Sequence, residues 1–207
     1  MPIQSKQDYL FYLEADEIAL KIPEGARGRL RERIMNQIWR YERILRKAEY
    51  YINCRKGAMW LPFSLLLQYR LSRYGFKLGF EIPPNTFGAG LSIAHHGMIV
   101  VNPSAKVGEN CRIHNGVTIG TEAGHSNWSP TIGNNVFIGP GAQIFGTITI
   151  ADSIAIGANS VVNKSFLEEG ISIAGAPAKK ISDKGSKMIY IRSTDILRSR
   201  RASSTKK

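Results

Sequence analysis

Between residues 105 and 162 the chain repeats with a period of six. Ile132, Ile138, Ile144, Ile150, Ile156 and Val162 stand six apart, as Val107, Ile113 and Ile119 do before them. Small or β-branched residues precede most of these by two positions, among them Ala105, Cys111, Val117, Val136, Ala142 and Ile154. Glycine often follows directly, as at Gly108, Gly120, Gly133, Gly139 and Gly157. A helix returns to one face every three or four residues and a strand every two, so neither explains a period of six. A coil of short strands joined by tight turns does, with one aliphatic residue inward per hexad and glycine or asparagine at the corners. Three hexads close a triangular coil of about eighteen residues, and about five coils fit between 81 and 178. Stacked coils bury a column of Ile and Val. The spacing predicts a parallel β-helix.

The period breaks once. Ile119 and Ile132 are thirteen apart, and the intervening "TEAGHSNWSP" (121–130) is polar and carries His125 and Trp128. Such a segment reads as a loop leaving the coil, where solenoids place binding faces.

The texture before residue 80 is different. Within 29–52, Leu30, Ile34, Ile38, Tyr41, Leu45, Ala48 and Ile52 recur at spacings of three and four, which predicts one amphipathic helix ending near Gly57. The chain therefore divides into a helical N-terminal region (1–79), a β-helix domain (80–180) and a basic C-terminal tail (181–207). The two cysteines, Cys54 and Cys111, suggest neither a disulfide framework nor a metal site, and with no signal peptide the expected compartment is the cytoplasm.

The formal net charge is +12, concentrated in Arg27–Lys47 and Lys179–Lys207. This favours an anionic partner: a membrane surface or a phosphorylated small molecule, since no nucleic-acid module accompanies the charge. The plainer reading is a solvated helix face and a disordered tail. The apolar run "MWLPFSLLL" (59–67) is far shorter than the ~20 residues a bilayer span requires. It fits an amphipathic element that packs on the core or rests on a membrane surface.

The chemistry available is sparse. Four histidines (His95, His96, His114 and His125) without an HExxH or Cys/His cluster make a poor metal case, and no nucleophile elbow or P-loop occurs. General-base catalysis by one imidazole remains, ideally oriented by a carboxylate. His95 and His96 sit in the β-branched run "LSIAHHGMIV" (91–100). Read as a strand, it sends the two rings to opposite faces, so only one serves a given site. Glu81, fourteen residues before His95, is most of one coil away and either pairs with it or simply opens the domain as a surface residue. His114, directly after an inward isoleucine, reads as a solvated or interface residue. His125 either reaches over a groove from its loop or lies on the surface.

These residues resemble a family. Residues 81–178 are similar to the hexapeptide-repeat acyltransferases, a resemblance that implies a left-handed parallel β-helix assembled as a homotrimer. The segment 81–120 and the closing "GAPAK" (175–179) resemble the serine acetyltransferase branch, and more closely the acetyltransferases of bacterial capsule and lipopolysaccharide gene clusters. The resemblance implies a dyad of His95 as general base and Glu81 as the carboxylate that orients it, acting on a hydroxyl that attacks acetyl-CoA. His125, in a "GHS" segment similar to the maltose and galactoside acetyltransferases, competes as base. For acetyl-CoA it implies a groove between coils, with Gly139, Gly141 and Ala158 along the pantetheine arm and Lys164 and Lys179 near the phosphates. Two positions depart from the serine enzymes: Ala94 replaces an aspartate that holds the amino acid's ammonium, and "SNWSP" (126–130) replaces an Arg-His-Pro near the substrate carboxylate. With Trp128 offering a face for a sugar ring, the sequence reading prefers a saccharide acceptor of a surface polysaccharide over serine. The alternatives are a serine O-acetyltransferase and a non-catalytic scaffold on an anionic surface, with peripheral contact at an anionic membrane compatible with each.

Overall fold

In the computed structural model, residues 2–125, 127–187 and 189–204 are described. Among the described residues five α-helices flank a β-helix: α1 (Lys6–Ala19), α2 (Ala26–Met35), α3 (Gln37–Cys54) and α4 (Leu61–Leu78) before it, and α5 (Ser193–Ser204) after it. Ser5 caps α1 by accepting the Asp8 N–H at 3.0 Å. The single helix expected over 29–52 is two. Asn36 leaves helical geometry (φ −86°, ψ 97°) and its side chain accepts the Trp39 N–H at 3.0 Å, starting α3 afresh. The apolar period accordingly splits: Leu30 and Ile34 are exposed, whereas Ile38, Tyr41, Leu45 and Ala48 are buried.

The hexads form three parallel sheets around one core. The first holds β1 (Phe80–Glu81), β3 (Ile99–Val101), β6 (Val117–Gly120), β9 (Gln143–Phe145) and β12 (Val161–Val162). The second holds β4 (Lys106–Val107), β7 (Thr131–Ile132) and β10 (Thr149–Ile150). The third holds β2 (Ser92–Ile93), β5 (Arg112–Ile113), β8 (Phe137–Ile138), β11 (Ala155–Ile156) and β13 (Ser172–Gly175), closed by an antiparallel β14 (Ala178–Ser182). Register stacks the inward residues in columns, such as Ile93, Ile113, Ile138, Ile156 and Ile173, all buried. The extra residue between Ile119 and Ile132 is absorbed by the loop, because β4 and β7 still pair Val107 with Ile132. The expected left-handed parallel β-helix with a helical N-terminal region is thus present, in a chain that mixes helix and sheet.

An end coil leaves a row of backbone groups without a neighbouring strand. Here α1 and α3 cover that end with buried ionisable side chains. Asp16 accepts the N–H groups of Gly90 (2.8 Å) and Leu91 (2.9 Å), Glu49 that of Asn85 (2.8 Å) and Glu42 that of Ile93 (3.1 Å). Arg46 donates to the carbonyls of Phe87 (2.9 Å) and Gly88 (2.7 Å) and to the carboxylates of Asp16 (2.7 Å) and Glu49 (3.0 Å). All four side chains are buried, so the reading of this basic stretch as a solvated face fails at Arg46.

The C-terminal helix α5 packs on the body of the fold. Leu197 of α5 is buried beside α1, and Asn110 holds the helix start through Ser193 (3.0 Å) and Thr194 (2.7 Å). Arg198 and Arg201 pair with Glu109 (2.7 Å) and Glu14 (3.1 Å). A disordered tail therefore does not describe residues 193–204.

Candidate active site

His95 and His96 do not lie in a strand. They follow β2 in a bend that turns the chain from the third sheet into the first, and both are exposed. The bend is pinned at each end: the Ala94 N–H donates to Ile113 O (2.9 Å) and the Gly97 N–H to Leu78 O (3.0 Å). Gly97 has φ +125°, a conformation that glycine adopts without strain. At the same corner the next coils place His114–Gly116, then Gly139–Gly141, then Gly157–Asn159.

This stacking gives His95 a neighbour that the sequence reading missed. The rings of His95 and His114 are 5.6 Å apart, and His114 in turn packs edge-on against Phe137 at 5.1 Å. His114 Nε2 is buried and has no hydrogen-bond partner. Burial lowers the His114 pKa, and the charges of Arg112 and His95 lower it further. His114 is thus a half-buried imidazole beside His95 whose charged form is disfavoured, rather than a solvated one. The available signal was a separation of nineteen residues, about one coil plus a corner residue.

Glu81 ends β1. It pairs with Val100 in β3, five residues past His95, and borders a cavity of about 510 Å³ lined by Tyr41, Phe76, Phe80 and Pro83. Among the described residues no hydrogen bond or ion pair links Glu81 to His95. His125 sits in the loop after β6, its ring stacked on Trp128 at 3.7 Å and 8°. Trp128 faces a cavity of about 570 Å³ with Glu122, Phe145 and Asn163. His95 precedes the first sheet and His125 follows it, so within one chain that sheet separates them.

Of the residues assigned to acetyl-CoA, Gly139, Gly141 and Ala158 share the His95 corner. A Cβ on Gly139 would approach the Ala158 nitrogen to 2.8 Å, so glycine lets the coils close there. Lys179 in β14 pairs with Ala174, which stacks below Gly157 at the edge of the third sheet. Lys164 is exposed beyond β12, with its ammonium 5.5 Å from the Phe166 ring, on the far side of the first sheet. The structure gathers the glycine corner and sets Lys164 apart from it.

Comparison with solved structures bears on this corner. A serine acetyltransferase from Brucella abortus strain S19 in complex with coenzyme A superposes with a TM-score of 0.70 at 28% identity, covering 87% of this chain and 70% of that one. The chain has the serine acetyltransferase fold. The Neisseria gonorrhoeae serine acetyltransferase in complex with serine matches with a TM-score of 0.66 at 27% identity, covering 86% of this chain and 71% of that one. By sequence, the serine acetyltransferase of Helicobacter pylori strain J99 is 39% identical over 109 residues, 52% of this chain. The chain spans 63% of the length of that curated relative. No family model matches the chain.

Proposed function

We propose that the protein transfers an acetyl group from acetyl-CoA to a hydroxyl, as an O-acetyltransferase of the serine acetyltransferase type. The observation that carries the reading is the likeness over 87% of the chain to a serine acetyltransferase solved with coenzyme A. His95 acts as general base: it takes the acceptor's proton as the oxygen attacks the thioester carbonyl. The tetrahedral intermediate then collapses, the C–S bond breaks, and the thiolate of CoA leaves with the proton held by His95. A backbone N–H at the glycine corner suits the transient oxyanion. Glu81 is the carboxylate that the family resemblance assigns to orient the imidazole. His125 is the competing base, and the resemblance assigns Gly139, Gly141, Ala158, Lys164 and Lys179 to the CoA path, with Lys164 across the first sheet from the others.

L-Serine is the acceptor that the relatives' names favour. A second reading, a sugar hydroxyl on a surface polysaccharide or its precursor, rests on Ala94, which offers no carboxylate for an ammonium, and on the half-exposed Trp128 bordering a cavity. Mass spectrometry of products from acetyl-CoA with L-serine, and separately with nucleotide sugars, decides between them. O-Acetylserine supports the first reading; an acetylated sugar with no O-acetylserine overturns it in favour of the second. If acetyl-CoA neither reacts nor raises the melting temperature, the chain is a non-catalytic scaffold. A homotrimer is part of the proposal, because residues on opposite edges of the first sheet can face one another only between copies.

A further inference from the structure

Helix α4 is apolar on two opposite faces. Leu67, Leu71, Gly75 and Leu78 are buried against the core. At 100° per residue, Leu65, Leu66, Tyr69 and Phe76 fall on the opposite side, and each is 53–85% exposed. An exposed apolar stripe on a helix already docked on its core marks an interaction surface.

The charge around this stripe identifies its partner. Residues 50–80 contain Arg55, Lys56, Arg70, Arg73 and Lys77 and no Asp or Glu. Lys77 and Arg70 flank the stripe along one side and Arg73 falls within it, and none of them takes part in an ion pair among the described residues. The bounding acids do not compensate: Glu49 is buried with Arg46, and Glu81 stands only at the C-terminal end. A second copy docking α4 on α4 would bring two such cationic segments together. Nor does the chain have many free carboxylates to meet them, since Glu14, Glu17, Glu24, Glu109, Glu168 and Asp183 already pair with Arg or Lys.

We propose that α4 lies in the interface of an anionic lipid bilayer, with Leu65, Leu66 and Tyr69 in the acyl boundary and Arg70, Arg73 and Lys77 at the headgroups. An apolar face beside a basic flank on a helix too polar overall to span is the pattern of interfacial helices, and no described helix is long and apolar enough to cross a membrane. The inference is independent of the acetyl-transfer reading.

Co-sedimentation of the full chain with phosphatidylcholine vesicles, with and without phosphatidylglycerol, tests it. The expected result is binding only to the anionic vesicles, weakened by salt. Arg70→Gln/Arg73→Gln should weaken binding roughly 25-fold, at about fivefold per basic residue near the surface. Leu65→Glu/Tyr69→Glu should abolish it, with melting temperature, light-scattering mass and acetyl transfer unchanged. Absence of wild-type binding to anionic vesicles, or equal binding to neutral ones, overturns the proposal. So does a fall in mass in the Leu65→Glu/Tyr69→Glu variant, which would make the stripe a contact between copies.

Discussion

Burial beside Phe137, with Arg112 and His95 close by, keeps the His114 imidazole neutral to a lower pH than a solvated histidine. Its folded-state pKa is depressed below the ordinary 6.5, so its contribution to stability is present above that value and is lost as pH falls through the folded pKa. Urea midpoints measured downward from neutral pH should fall less steeply in His114→Leu than in the wild type; identical slopes would remove His114 from the acid response. At the corner itself, His95→Ala should lower acetyl transfer by ~10²–10⁴-fold, the usual range for a lost general base. Full activity in that variant with an inactive His125→Ala would move the base to the loop.

Among the elements, the helical cap on the first coil supplies the largest expected stability effects. Arg46→Met leaves Asp16 and Glu49 buried without their cation and should cost ~3–5 kcal/mol in chemical denaturation. Among the described residues Glu42 forms no ion pair, and burial together with the Asp16 charge holds its carboxyl well above the usual range. A raised folded-state pKa means that its contribution is complete below the unfolded value and is lost as pH rises through the folded one. Glu42→Gln keeps an acceptor for the Ile93 N–H and should gain stability relative to the wild type as pH increases. A constant difference between the two across that range would show that Glu42 does not titrate there.

Across the whole molecule, the repeat was readable because the β-helix needs one aliphatic residue inward per hexad, and the Ile113 and Ile119 columns obey that rule. The loop at 121–130 was readable because its polar residues interrupt that rule. The cap was not. Asp16, Glu42, Arg46 and Glu49 have the composition of a solvated helix face, and only the position of the first coil turns them inward. The α5 segment reads as a basic tail for the same reason, since the carboxylates that receive its arginines are distant in sequence. The site was legible as residue types but not as contacts: the pairing of His95 with His114 depends on how many residues each corner consumes.

The central step is acetyl transfer driven by an imidazole at the glycine corner. Its most direct test is the rate of CoA thiol release from acetyl-CoA in the presence of L-serine, for the wild type and for His95→Ala shown by calorimetry to retain CoA binding. The wild type should turn over, and the variant should lose at least about 100-fold in rate. Equal rates in the two proteins would contradict it.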